Sequence, residues 1–289
     1  MIVDLVQIST RDGVRLDGML QSPRAGPPSP PTADAFLFVH GTGGSFYSST
    51  LFDAFADRFL QLGAAVLRVN TRGHDLISTA STTEGGRRIG AAYEVVDDCR
   101  HDLAAWIEWL SRRGFGRIGL VGHSLGAVKA IYTLAHEPQP AVVCLVALSP
   151  PRLSYSHFSS GPQGPNFLKT TVAAEEHVRA GRSEVLMDVK FPLPFVVTAA
   201  GYLEKYGPEE RYNFLKFVAR VPCRTLVTFG SIELENNIAF RGSPELLAPI
   251  AARTDVKVEV IENADHFYSQ ARDIVVELVT SWLQVPRTD

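Results

Sequence analysis

Gly122-His123-Ser124-Leu125-Gly126 is the stretch on which the fold of this 289-residue chain turns. It follows the short apolar run Arg117-Ile118-Gly119-Leu120-Val121 and opens a helix-compatible run over 127–135. Glycines two positions either side of a serine, between a strand and a helix, make the pattern of a nucleophile elbow. At so sharp a turn, side chains at 122 and 126 would clash. Their removal lets the Ser124 hydroxyl project free, with the following backbone N–H groups beside it at a helix N-terminus. The pentapeptide alone says little, because glycine and serine are common in loops; the strand–turn–helix context gives it weight.

Outward from the elbow, short apolar runs alternate with amphipathic ones. Buried strands are predicted at 35–39, 64–69, 141–148, 224–229 and 256–261, and helices at 50–62, 94–113, 244–253 and 272–283. Nearly all-apolar strands separated by helices imply an α/β fold, a mostly parallel central sheet with helices on both faces. Ahead of the series, Val3 and Leu5, then Val14, Leu16, Gly18 and Leu20, alternate with polar positions around Asp12-Gly13, which predicts a hairpin. Five prolines in Ser22-Pro23-Arg24-Ala25-Gly26-Pro27-Pro28-Ser29-Pro30-Pro31 then forbid a ladder and read as an exposed loop, with a PxxP ligand as the rival reading.

The series breaks between 151 and 221, where no buried strand is evident. Helix-compatible pieces lie at 167–180, 195–206 and 209–219. An inserted helical lid is expected there, over the carboxyl edge of the sheet where such folds bind ligands. The core would comprise 1–150 and 222–289. A small separate domain with no catalytic part is the alternative.

Composition narrows the class. With 45% hydrophobic and 20% charged residues, the chain is neither disordered nor membrane-embedded. A net charge of −3, with dispersed basic residues, gives no reason to expect nucleic acid or an anionic membrane as partner. The N-terminal Met1-Ile2-Val3-Asp4 lacks a basic region and an apolar core, so no signal peptide is expected. No apolar run nears the roughly 20 residues that span a bilayer, so no stable membrane insertion is expected. Cys99, Cys144 and Cys223 have no metal spacing and read as small buried hydrophobes in a reducing, cytoplasmic compartment.

The chain resembles the α/β-hydrolase superfamily over nearly all its length, with the features of an esterase or lipase carrying a helical lid. The resemblance implies the chain order serine, acid, histidine, each on a loop after a strand. His266, in Asn263-Ala264-Asp265-His266-Phe267, stands between the last strand and the last helix, where the family places its general base. A neutral imidazole is the natural acceptor of a serine proton near pH 7. For the acid the family usually has an aspartate in a pattern like G-x-x-D; here Gly230-Ser231-Ile232-Glu233 puts Glu233 there. Glutamate serves, since the acid only orients and stabilises the imidazolium. Glu235 competes if the loop bulges, and both glutamates could be solvated loop charges. The family's other acid location reads Ser149-Pro150-Pro151 and offers no carboxylate, while Asp265 is expected to serve loop structure.

His40-Gly41-Thr42-Gly43-Gly44 resembles the family's HG-x motif, which implies an oxyanion hole formed by the backbone N–H groups of Thr42 and Leu125. Each donor is worth about 3 kcal/mol of barrier. His40 reads as a structural hydrogen-bonded residue, and Asn70-Thr71-Arg72-Gly73-His74-Asp75 as a scaffold turn. Lys129, inside an apolar helix, reads as one half of a structural ion pair or as a side chain reaching the pocket.

Together these residues imply hydrolysis of a carboxylic ester through an acyl-enzyme, with Ser124, His266 and Glu233 as the catalytic set and no metal or cofactor. The substrate would be a small-molecule ester or other acyl compound. Thioester, amide or lactone cleavage and acyl transfer use the same machinery. A non-catalytic binding protein on this fold would ordinarily lack Ser or His, and a haloalkane dehalogenase would carry a carboxylate at the elbow. The lid aromatics Tyr155, Phe158, Phe167, Phe195, Tyr202, Tyr206 and Phe214 would either line an apolar pocket that selects the substrate or form the lid's own core.

Overall fold

The computed structural model describes residues 3–23 and 32–285; the proline-rich stretch beyond Pro23 lies outside the described residues. The chain opens with the antiparallel hairpin β1 (Asp4–Ser9) and β2 (Arg15–Gln21). Its register pairs Val6 with Gly18 and Ile8 with Leu16, so Val6 and Ile8 turn inward beside Leu16 and Leu20. Leu5 belongs to the opposite face and is 76% exposed. The alternation is therefore one residue out of phase with Val3 and Leu5, because adjacent strand residues point to opposite faces.

The alternating series follows: β3 (Ala35–Val39), α1 (Thr50–Gln61), β4 (Ala65–Val69), a small hairpin β5 (Ser78–Thr82) and β6 (Gly85–Ile89), and α2 (Cys99–Arg112). Then come β7 (Ile118–His123), α3 (Leu125–His136) and β8 (Val142–Leu148). The predicted helix over 94–113 begins only at Cys99, after a 3-10 turn at Val96–Asp98. Residues 151–221 hold α4 (Tyr155–Ser160), α5 (Gly164–Arg179), the hairpin β9 (Leu186–Val189) and β10 (Phe195–Thr198), and α6 (Ala199–Tyr206). The series closes with β11 (Arg224–Gly230), α7 (Ser231–Asn236), α8 (Ser243–Ala251), β12 (Val256–Ile261) and α9 (Arg272–Gln284).

Eight strands form one sheet in the order β1-β2-β4-β3-β7-β8-β11-β12, with β4 through β12 mutually parallel and the N-terminal hairpin antiparallel at one edge. Each face is covered. Ala35, Leu37 and Val39 of β3 pack on one side with Trp106 of α2 and Val128 of α3. Phe36 and Phe38 pack on the other with Phe52 and Phe59 of α1 and Val275 and Val279 of α9. From β3 the chain moves to β4 on one side and later to β7 on the other. The carboxyl ends of β3 and β7 thus flank a topological switch point, and the loops leaving them open a crevice between them.

The insertion adds no strand to this sheet. Its helices pack through Phe158, Phe167, Tyr202 and Tyr206, all buried and in edge or tilted ring contacts. Two expected helices differ. Over 195–206, the β-branched start Phe195-Val196-Val197-Thr198 pairs with β9, and the helix begins only after Thr198, whose hydroxyl caps Gly201 N–H at 3.0 Å. Over 209–219 there are two 3-10 turns, Phe214–Lys216 and Val218–Arg220. Glu210 sits at φ 49° with its carboxylate bound to Asn213, Ser154 and Ser156, so local side-chain bonds replace the helix. No helix among the described residues is long and apolar enough to cross a membrane.

Phe59 is fully buried and touches Phe36 at a ring separation of 4.1 Å, with Phe38 and Phe55 beyond. Phe59→Ala is expected to cost about 3–5 kcal/mol in urea unfolding, because it opens a cavity between α1 and the sheet. A loss below about 1 kcal/mol would mean that α1 does not seal this face.

Candidate active site

The elbow is as tight as its glycines suggest. Ser124 adopts φ 56° and ψ −127°, a conformation few non-glycine residues tolerate, and its N–H bonds Leu148 O at 2.9 Å. A Cβ at Gly122 would lie 2.5 Å from Gly126 O, and one at Gly126 would lie 2.1 Å from Val39 O. The loop after β3 passes equally close: a Cβ at Gly41 would lie 2.9 Å from Ser124 Cβ and 3.4 Å from its Oγ. Thr42 follows directly, and α3 begins at Leu125, so both candidate oxyanion donors lie on the two segments that meet at Ser124.

His266 and Glu233 are brought together. His266 Nδ1 bonds Glu233 Oε2 at 2.7 Å, with the Glu233 carboxylate buried and the His266 side chain 25% exposed. Glu233 is the third residue of α7, and its Oε1 accepts the Gly230 N–H at 2.8 Å, which ties the carboxylate to the helix start. Glu235, two residues on, is exposed and has no such contact with His266. The imidazole packs among His123, Phe240 and Phe267, with ring separations of 4.7 to 5.0 Å. His123 also donates from Nε2 to the His266 carbonyl at 2.8 Å; burial, then the neighbouring His266, lowers the His123 pKa to about 3. Asp265 accepts the N–H groups of Phe267 (3.0 Å) and Ser269 (2.8 Å), so it shapes the loop that carries His266.

Sequence reading missed a second layer behind Glu233. Ser149 donates to Oε1 at 2.5 Å, and Tyr268 OH, itself 2.8 Å from Thr228 Oγ1, lies 2.7 Å from Ser149 Oγ. Ser149 stands directly after β8, at the family's other acid location, and supplies a hydroxyl there instead of a carboxylate. No local pattern marks it, because a serine hydroxyl can donate to or accept from any polar group the fold brings near.

Ser124 and His266 line one cavity of about 300 Å³, shared with Thr42, Ser45, Ser48, Ser49, Phe52 and Phe267. The insertion contributes Leu193 to it. None of the aromatics Tyr155, Phe158, Phe167, Phe195, Tyr202, Tyr206 and Phe214 lines this cavity; Tyr155, Phe158, Phe167, Tyr202 and Tyr206 pack on one another instead. Lys129 does not line it either. Its ammonium is fully buried against the Glu94 carboxylate and donates to Thr71 Oγ1 at 3.0 Å. The turn over 70–75 is a hydrogen-bonded scaffold: Arg72 binds Asp12, Asp98 and Asp102, and Asn70 Oδ1 accepts Phe46 N–H.

The sequence model of the alpha/beta hydrolase family matches residues 36–278, and the chain belongs to that family. No curated protein sequence matches it significantly. Among solved structures it is similar to Est1E from Butyrivibrio proteoclasticus with ferulic acid bound, at 16% identity, TM-score 0.67, and 96% and 98% coverage of the two chains. It is also similar to the hydrolase GrgF from Penicillium sp. sh18, at 14% identity, TM-score 0.67 and 98% coverage of each chain. The Pyrococcus furiosus esterase Pf2001 matches at 20% identity and TM-score 0.61, with 98% of this chain and 90% of that one covered. Such identities establish the fold alone.

Burial by itself would raise the Glu94 pKa, but the charges of Lys129 and Lys205 outweigh it and hold the group at about 2. A folded-state pKa below the ordinary carboxylate value of 4.5 makes its stabilisation complete above that pH and lost as pH falls toward about 2. Glu94→Gln, which strands two buried ammonium groups, is therefore expected to lose about 3–5 kcal/mol at pH 7. The deficit should shrink as the wild type is acidified. Urea titrations at several pH values check this, and a pH-independent deficit would contradict it.

Proposed function

We propose that the protein is a serine esterase that cleaves a carboxylic ester through an acyl-enzyme. The observation that carries this reading is the His266 Nδ1–Glu233 Oε2 bond of 2.7 Å beside the cavity that Ser124 lines. With Nδ1–H donated to the carboxylate, Nε2 is left as the base. Ser124 Oγ attacks the ester carbonyl carbon while its proton passes to His266 Nε2. The oxyanion is held by the N–H groups of Thr42 and Leu125, and Glu233 stabilises the imidazolium. The carbon–oxygen bond to the alcohol then breaks, and His266 returns the proton to the leaving oxygen. Water repeats the sequence on the acyl-enzyme and regenerates Ser124.

Two structural relatives, Est1E with its bound ferulic acid and the Pyrococcus furiosus esterase, support ester over amide or thioester as the first substrate to try. Residues 151–221 act in this reading as the lid on a core of 1–150 and 222–289, reaching the cavity through Leu193. The three buried cysteines, none of them in a disulfide, fit a reducing, cytoplasmic setting.

Ser124→Ala and His266→Ala are each expected to abolish p-nitrophenyl ester hydrolysis in a folded protein. The double variant should be little worse than either single, because the residues act as a unit. Retained turnover by either single variant would sink the assignment.

Glu233→Gln keeps the size of the side chain but removes the charge facing the imidazole, and should lower kcat by about 100-fold or more. Glu235→Gln should leave kcat within about twofold, since its side chain is solvated. The reverse ranking, read from steady-state kinetics, would move the acid to Glu235.

A further inference from the structure

Resting on the serine-esterase reading, we propose that Lys205, Glu94, Lys129 and Thr71 are positioning residues that hold His40 and, through it, the Gly41–Thr42 peptide of the oxyanion hole. The helical insertion thereby sets the direction of the Thr42 N–H.

The chain of bonds is continuous and directed. Lys205, on α6 of the insertion, donates to Glu94 Oε2 at 3.4 Å, while Glu94 Oε1 takes the Lys129 ammonium. All three charged side chains are buried, with exposures of 0 to 2%. Lys129 donates to Thr71 Oγ1 at 3.0 Å. With its oxygen occupied by that donor, the Thr71 hydroxyl turns its own proton to His40 Nε2, 3.1 Å away, which also accepts the Thr71 N–H. An Nε2 that accepts fixes the tautomer, so Nδ1 carries the hydrogen and donates to Gly41 O at 2.8 Å. His40 is neutral: burial, then the Lys129 charge, presses its pKa to about 3. The Gly44 N–H adds a second bond to Gly41 O at 3.2 Å.

The last link is geometric. Across a trans peptide the carbonyl and the next N–H point in opposite directions. Holding Gly41 O against His40 therefore turns the Thr42 N–H to the far side of that peptide plane, at the loop that passes over Ser124. The scaffold turn makes room for the chain. A Cβ at Gly73 would fall 1.9 Å from Glu94 Oε1, so only glycine lets the carboxylate reach Lys129. Lys205 is held from its other side by the Phe195 ring, 5.3 Å from the ammonium, which anchors it to β10 of the insertion.

The test uses the full chain, p-nitrophenyl acetate and four variants: Thr71→Val, Thr71→Ser, Lys205→Met and the Thr71→Val/Lys205→Met pair. Thr71→Val is expected to lower kcat by about tenfold with KM within about twofold, since an oxyanion donor acts in the transition state. Thr71→Ser should restore it. Lys205→Met should lower kcat in the same manner, and the pair should be no slower than Thr71→Val, because both cut one chain. Lys205→Gln takes its place if Lys205→Met does not fold. An unchanged kcat in Thr71→Val, a Thr71→Ser as slow as it, or losses that multiply in the pair would each overturn the relay while the esterase reading stands. A wild type without ester hydrolysis, or an active Ser124→Ala, would overturn that reading and the relay with it.

Discussion

At Ser124 three backbone segments approach more closely than side chains allow, and the geometry of the crevice depends on that contact. The end of β3 presses on the first turn of α3 at Gly126, the loop after β3 crosses Ser124 at Gly41, and β8 takes the Ser124 N–H. Because β3 and β7 are neighbours at the point where strand order reverses, their loops leave the sheet side by side. The strained φ of Ser124 is tolerated because hydrogen bonds and packing on both sides over-determine it.

Two of the buried polar networks around that contact are each built on one carboxylate. Glu233 spends one oxygen on Gly230 N–H and Ser149 and the other on His266. Glu94 spends its oxygens on two ammonium groups. A carboxylate taken out of water is stable only when its lone pairs are met, and a met carboxylate is rigid. Rigidity passes from such a carboxylate to the groups it holds. The first network ends at the imidazole and the second at the loop that passes Ser124, so the two sides of the cavity are held independently.

The insertion gave up its signal only in part. Its aromatic content was plain, yet whether those rings faced a substrate or each other was a question of packing, and they face each other. Its contribution to the cavity is one leucine, Leu193, which nothing in local sequence distinguishes. The hairpin β9–β10 was hidden in the same way, since a four-residue strand carries too little periodicity to be told from a helix start.

The sequence by itself determined the parallel sheet, the elbow and the place of His266 after the last strand, while Glu233 and Glu235 both stayed open as its partner until the fold brought Glu233 to it. Each is written in short-range pattern: apolar runs of strand length, glycines flanking a serine, a histidine between the last strand and last helix. Only the tertiary structure decided which partners the buried ions take, that Ser149 and Tyr268 stand behind Glu233, and that Lys129 meets Glu94 and, through it, Lys205. Those contacts join residues 35 to 119 positions apart, for which local pattern carries no register. They form because the fold removes these groups from water together, leaving each the others as its hydrogen-bond partners.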